Sequence, residues 1–162
     1  QADQVVFVAI HGGSRRSDVD ISVPDVQAWI VNPDTQEAKA TEPARRSAVA
    51  IRAFLRIMDA WKVRDDDSRT LLGGISRTTL HNWKKGQVPT LSRDVLERVS
   101  YVLGIYKALQ ILLPKPESAD AWVRKPNQFF NGRPALERML GGNVADLYEV
   151  RKYLDFARGN DL

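Results

Sequence analysis

The sequence predicts an all-α protein: a helix-turn-helix domain, then a small helical C-terminal domain, behind an N-terminal extension of uncertain structure. Three observations lead there. From residue 45 onward, apolar side chains recur at helical rather than strand spacing. Gly and Pro punctuate that stretch at intervals suited to short helices. One segment, "GGISRTTLHNWKKG" at residues 73–86, reads as a capped short helix with a polar, basic face. The resulting divisions are 1–44 for the extension, 45–114 for the helix-turn-helix domain and 115–162 for the C-terminal domain.

The extension is the hardest part to read. "VVFVAI" at residues 5–10 resembles a buried strand, His11-Gly12-Gly13-Ser14 a turn, and "ISV" and "WIV" further short strands. "NPDTQEAKATEP" reads as a linker, and an extension that orders only against another surface is the equal alternative. The glycines after His11 lack the second half of a phosphate-binding loop.

The helical elements then follow in order. Pro43 suits a first helical turn, and Phe54, Met58 and Trp61 recur one and two turns apart, preceded by Ala50 and Ile51. "SRTLLGG" gives a short helix stopped by Gly73-Gly74. Ser76 is a favourable N-cap for a helix over residues 77–85, which Gly86 ends and Pro89 closes off. Ser92 caps a long helix with the apolar stripe Val95, Val99, Val102, Tyr106, Leu109 and Leu113, halted by Pro114 and Pro116. The tail reads as a short helix around Trp122 and turns at Pro126-Asn127 and Gly132. A helix from Pro134 to Gly141-Gly142 follows, then a last helix capped by Asn143 with the face Leu147, Val150, Leu154 and Ala157.

Composition narrows the function classes. The chain has 162 residues and a formal net charge of +4. The surplus is local: residues 41–113 hold 13 basic and 7 acidic side chains, while residues 1–40 hold 3 basic and 6 acidic. A basic segment around a donor-rich helix suits a polyanionic partner. Cysteine is absent, which excludes disulfides and thiolate metal sites. His11 and His81, the two histidines, lie far apart and make a poor metal cluster. No metal or cofactor is expected. No apolar run reaches the roughly 18 residues of a membrane span, so a cytoplasmic protein is the default. Neither a Ser/His/acid set nor a paired-carboxylate motif is present, and catalysis is not expected.

In a helix-turn-helix, "SRTLLGG" would brace the helix over residues 77–85 in the major groove. Leu80 and Trp83, one turn apart, would hold that helix to the core. Arg77 and Asn82 have side chains suited to bidentate base contacts, and Thr78 and Thr79 to phosphates or a thymine methyl. His81 lies on the same polar face, and Lys84 and Lys85 would neutralise phosphates. The competing reading is a solvated polar helix in an all-α domain.

The tail carries a resemblance to a known family. "KPNQFFNGRPALERMLGGN", preceded by Trp122 and followed by Val150, Tyr153 and Leu154, resembles the C-terminal toxin-binding domain of Xre/MbcA/ParS-type antitoxins. The shared positions include Pro126, Asn127, Phe130, Gly132, Arg133, Pro134, Leu136, Leu140 and Gly142. "ISRTTLHNWKKG" and the long helix after it resemble the family's Xre-like helix-turn-helix. Ala135 and residues 1–40 depart from the pattern.

The resemblance implies a type II antitoxin whose partner is a RES-domain, NAD-consuming toxin. The antitoxin would cover the toxin's active site and bind its own promoter, as a homodimer and within a larger toxin–antitoxin complex. An inhibitor of a dinucleotide-binding pocket would offer acceptors and aromatic anchors. Tyr153, Asp155, Phe156, Arg158, Asn160, Asp161 and Leu162 at the chain end are the candidates. The alternative is a transcription regulator whose C-terminal domain serves only dimerisation or another protein partner.

Overall fold

The computed structural model describes residues 41–159, so the strands read in residues 1–40 lie outside the described residues. Among the described residues the chain is helical apart from one pair of two-residue strands. It divides into two compact units, one ending at Leu103 and the other taking over at Gly104. That division falls inside a helix, ten residues before the Pro114 boundary expected from sequence. The prolines stop the helix, whereas compactness follows where its successive turns find their packing partners.

The first unit opens with α1 (Glu42–Ala60), which has Pro43 in its first turn, where a missing N–H costs nothing. Its inward stripe is Ser47, Ile51, Phe54, Ile57, Met58 and the adjoining Trp61. Ser47 is buried because its hydroxyl accepts the backbone N–H of Leu91 at 3.0 Å, across 44 positions of sequence. Helix α2 (Asp65–Leu71) begins with Asp65, Asp66 and Asp67, favourably placed against the positive end of the helix dipole. With Arg64 as its N-cap, the brace therefore begins three residues ahead of the "SRTLLGG" segment read from sequence.

Helix α3 (Arg77–Lys84) follows a tight break at Gly73 and Gly74, whose φ values are +91° and +83°. Gly73 has a second constraint: a Cβ there would come within 3.1 Å of Arg98 Nε and Asp94 Oδ2, a paired couple on the next helix. Arg69 closes the break by donating from Nε to the Ile75 carbonyl at 2.8 Å. Helix α4 (Arg93–Leu112) starts after Ser92, whose hydroxyl accepts from Val95 N–H at 3.3 Å. The stripe read from sequence is shifted: Val95 and Tyr106 are only half-buried, while Ile105 and Ala108 are fully inside.

The second unit takes the remainder of α4, then α5 (Pro116–Trp122), a hairpin-like loop, α6 (Ala135–Met139) and α7 (Val144–Ala157). In the loop, β1 (Pro126–Asn127) pairs antiparallel with β2 (Arg133–Pro134) around a short 3-10 turn, Gln128–Phe130. Asn127 is buried and organises the loop. Its side chain accepts from Phe129 N–H at 2.9 Å, and its carbonyl accepts from Gly132 N–H at 2.9 Å. Two-residue strands are too short to leave an alternating pattern, so only turns were legible there. A capping box joins Asn143 to Asp146 at the start of α7. Gln110 donates to Asp120 at 2.9 Å, and burial pushes the Asp120 carboxyl above the usual carboxylate range.

Gly104 has a packing reason to lack a side chain. The Arg151 guanidinium lies where a Cβ on Gly104 would stand, and Arg151 pairs with Asp155 at 2.9 Å. Asp155 Oδ1 is buried with no other partner among the described residues. Gly→Ala inside an unobstructed helix should stabilise by about 1 kcal/mol. Here Gly104→Ala should instead forgo that gain and destabilise by up to about 1 kcal/mol, because the Arg151 guanidinium must swing aside and its pair with Asp155 weakens. Urea unfolding of the two proteins gives the sign, and a gain in stability would contradict this packing.

Candidate nucleic-acid and partner surfaces

Helix α3 is short; its cap fixes where it begins and two buried side chains fix its orientation. Ser76 accepts Thr79 N–H at 3.0 Å and also bonds the Thr79 hydroxyl at 2.8 Å. Leu80 and Trp83 are both buried, Trp83 at 7% exposure. With those two inward, Arg77, Thr78, His81, Lys84 and the C-cap residue Lys85 are exposed, and Thr79 and Asn82 are half-buried. The seven residues nominated from sequence thus lie on or beside one helix. Thr79 is the least available, since its hydroxyl already serves the cap.

The exposed face holds an arrangement that local sequence patterns do not reveal. The first turn of α2 runs beside it, forming a groove lined by Asp65, Asp66, Arg69, Arg77, His81 and Lys84. Lys84 Nζ lies 2.6 Å from Asp65 Oδ1, and Arg77 Nη2 lies 3.4 Å from Asp66. Asp66 is also held by Arg69 at 2.9 Å. The partners are 19 and 11 positions apart, outside the reach of helical spacing.

In the second unit, Tyr153 anchors an aromatic cluster and is 7% exposed. Its ring stacks on Trp122 at 6.0 Å, tilts over Phe129 at 4.6 Å and meets Phe130 edge-on at 5.6 Å. Asp155 is also buried. The expectation that Tyr153 and Asp155 lie outside the inward face of α7 is corrected by this packing: the helix buries an arc wider than Leu147, Val150 and Leu154. Phe156 is the opposite case, at 63% exposure, and Arg158 is half-buried. Asn160, Asp161 and Leu162 lie outside the described residues.

Two exposed aromatics were not among the nominated site residues. Phe129 is 55% exposed although its ring leans on Tyr153. Tyr148 lies on the outer side of α7 with Lys152 Nζ 5.8 Å from its ring centre. The doubled "FF" is the sequence signal: only one of two adjacent rings at a turn can face the core, and Phe130 is the buried one. Beside Phe129, Arg138 bridges Asp146 and Glu149, and Arg133 pairs with Glu137. Among the described residues no group of three His, Cys, Asp or Glu could hold a metal ion. No described helix is long and apolar enough to cross a membrane.

The two units correspond to two family descriptions. Residues 41–104 match the antitoxin Xre-like helix-turn-helix domain, and residues 108–159 match the antitoxin Xre/MbcA/ParS C-terminal toxin-binding domain. The chain is also 45% identical over 128 residues to "Uncharacterized protein y4oB" of Sinorhizobium fredii, covering 77% of this chain and 98% of that protein. The chain belongs to the Xre/MbcA/ParS family of antitoxins. It is an antitoxin of a toxin–antitoxin system. Its helix-turn-helix implies a DNA partner and its C-terminal domain a toxin partner. Both families describe antitoxin or DNA-binding domains rather than enzymes.

The polar face that α3 presents depends on its buried side. Trp83→Ala should lower stability by about 3–5 kcal/mol, through lost burial and the cavity left behind. A thermal melt measures this, and a variant as stable as the parent would mean that Trp83 is not a core residue.

Proposed function

We propose that this antitoxin neutralises a RES-domain, NAD-consuming toxin with its second unit and represses its own promoter with α3. The toxin class comes from the family resemblance. The observation that carries the toxin half is the exposure of Phe156 three residues before the helix-terminating Gly159. A large aromatic ring that gains nothing from its own core is a natural anchor for a partner pocket. The segment after it, with the Asn160 amide and the Asp161 carboxylate followed by Leu162, offers acceptors to a pocket built to hold a dinucleotide's phosphates. Arg158 stands between the anchor and those acceptors. In this reading the chain end covers the substrate entrance, while Tyr153 and Asp155 support the helix that delivers it.

For DNA, the basic exposed face of α3 supports reading by Arg77 and Asn82. Thr78, His81, Lys84 and Lys85 act as supporting contacts to phosphates and base edges. A homodimer would place two such helices on half-sites about one helical turn apart, and a complex with toxin would carry the same arrangement.

Deleting residues 159–162, or replacing Phe156 with Ala, should weaken inhibition of NAD loss by purified toxin. Promoter binding and the melting temperature should stay close to those of the parent. Equal inhibition by parent and both variants would move the block away from the chain end. Arg77→Ala should cost about 1–3 kcal/mol in promoter affinity and relax sequence preference, as a lost base contact does. Binding isotherms on promoter and scrambled duplexes check this. Unchanged affinity for both would remove Arg77 from the reading face.

A further inference from the structure

We propose that Asp65 and Asp66 are a built-in brake on DNA binding, holding Lys84 and Arg77 in ion pairs that a DNA phosphate must displace. This rests on the reading of α3 as the DNA-facing helix. Each pair is exposed on both sides, with side-chain exposures of 43% and 66% for Lys84 and Asp65, and 79% and 61% for Arg77 and Asp66. Pairs so exposed contribute little to folding. Their effect falls on a polyanion approaching the groove. Two of the cations that would meet it already have carboxylates as counterions, and those carboxylates repel the incoming phosphates. The brake is specific to position. Asp67, the third acid of the same turn, is half-buried and pairs with Arg64 at 3.5 Å, away from α3.

The consequence is a reader of deliberately low intrinsic affinity with a shallow salt dependence. A cation that stays paired with its carboxylate neutralises no phosphate and so releases no condensed counterion from the DNA. A single copy of this helix-turn-helix then occupies DNA weakly, and occupancy depends on additional contacts from a second copy or a bound toxin.

The test uses the full chain and a fluorescent mixed-sequence duplex about two helical turns long, titrated at several salt concentrations. Asp65→Asn/Asp66→Asn should bind about tenfold tighter than the parent at low salt. The slope of log affinity against log salt should steepen by about 0.9 for each cation released, or roughly 1.8 in all. Asp67→Asn, with a like change of charge per site, should shift affinity far less. A second arm keeps the result independent of any change in folding. Lys84→Gln should cost more affinity in the Asp65→Asn background than in the parent, a coupling read from a double-mutant cycle.

The brake is overturned if the double variant binds no tighter and its salt slope is unchanged. It is also overturned if Asp67→Asn has an effect of the same size, which would make this a matter of net charge alone. If no protein in the set binds the duplex, the reading of α3 as a DNA helix fails, and the brake fails with it.

Discussion

An eight-residue helix has no stability of its own in water, because nucleation costs more than so few hydrogen bonds return. Everything α3 can present therefore depends on the burial of Leu80 and Trp83. Those two side chains choose the rotation of the helix, and the rotation decides that Arg77, Thr78, His81 and Lys84 face out. The cap at Ser76 fixes where the helix begins, and Gly73 and Gly74 turn the chain sharply enough to bring α2 alongside. That approach has a second consequence. It delivers the acidic first turn of α2 to the cations of α3, so the packing that exposes the polar face of α3 also pairs two of its cations with carboxylates.

The second unit solves an analogous problem with aromatic rings. Tyr153 receives Trp122 from α5, and Phe129 and Phe130 from the loop between the short strands. The buried Asn127 holds that loop in shape, since its side chain and backbone carbonyl each satisfy an otherwise unpaired N–H. The cluster determines the surface as well as the core. With Phe130 and Tyr153 inside, Phe129 and Phe156 are left outside, and these carry the largest exposed apolar areas for their size in the unit. The proposed toxin contact uses such exposed rings, which stand beside rings that are already satisfied.

Much of this was legible in the sequence because it is written locally. Ser76, Gly86, Ser92, Asn143 and Gly159 mark helix ends by chemistry acting over two or three residues, and the structure places ends at or next to each. The inward placement of Leu80 and Trp83 followed from their spacing. What was not legible depends on tertiary proximity. Asp65 and Lys84 meet across 19 positions, and no periodicity links them. Tyr153 and Asp155 seemed free because α7 was read as having one apolar stripe. The helix packs over a wider arc, and Arg151, lodged over Gly104, allows a carboxylate on that arc to be buried.

The central claim is that the two halves of an antitoxin's work belong to different units of this chain, with α3 facing DNA and the end of α7 facing toxin. Amide hydrogen exchange on the full chain, alone, with promoter duplex and with purified toxin, tests it most directly. The account predicts slowed exchange across residues 76–93 with DNA and across residues 129–158 with toxin. Protection of residues 104–159 by DNA with residues 76–86 unchanged, or protection of α3 by toxin alone with none near Phe156, would contradict it.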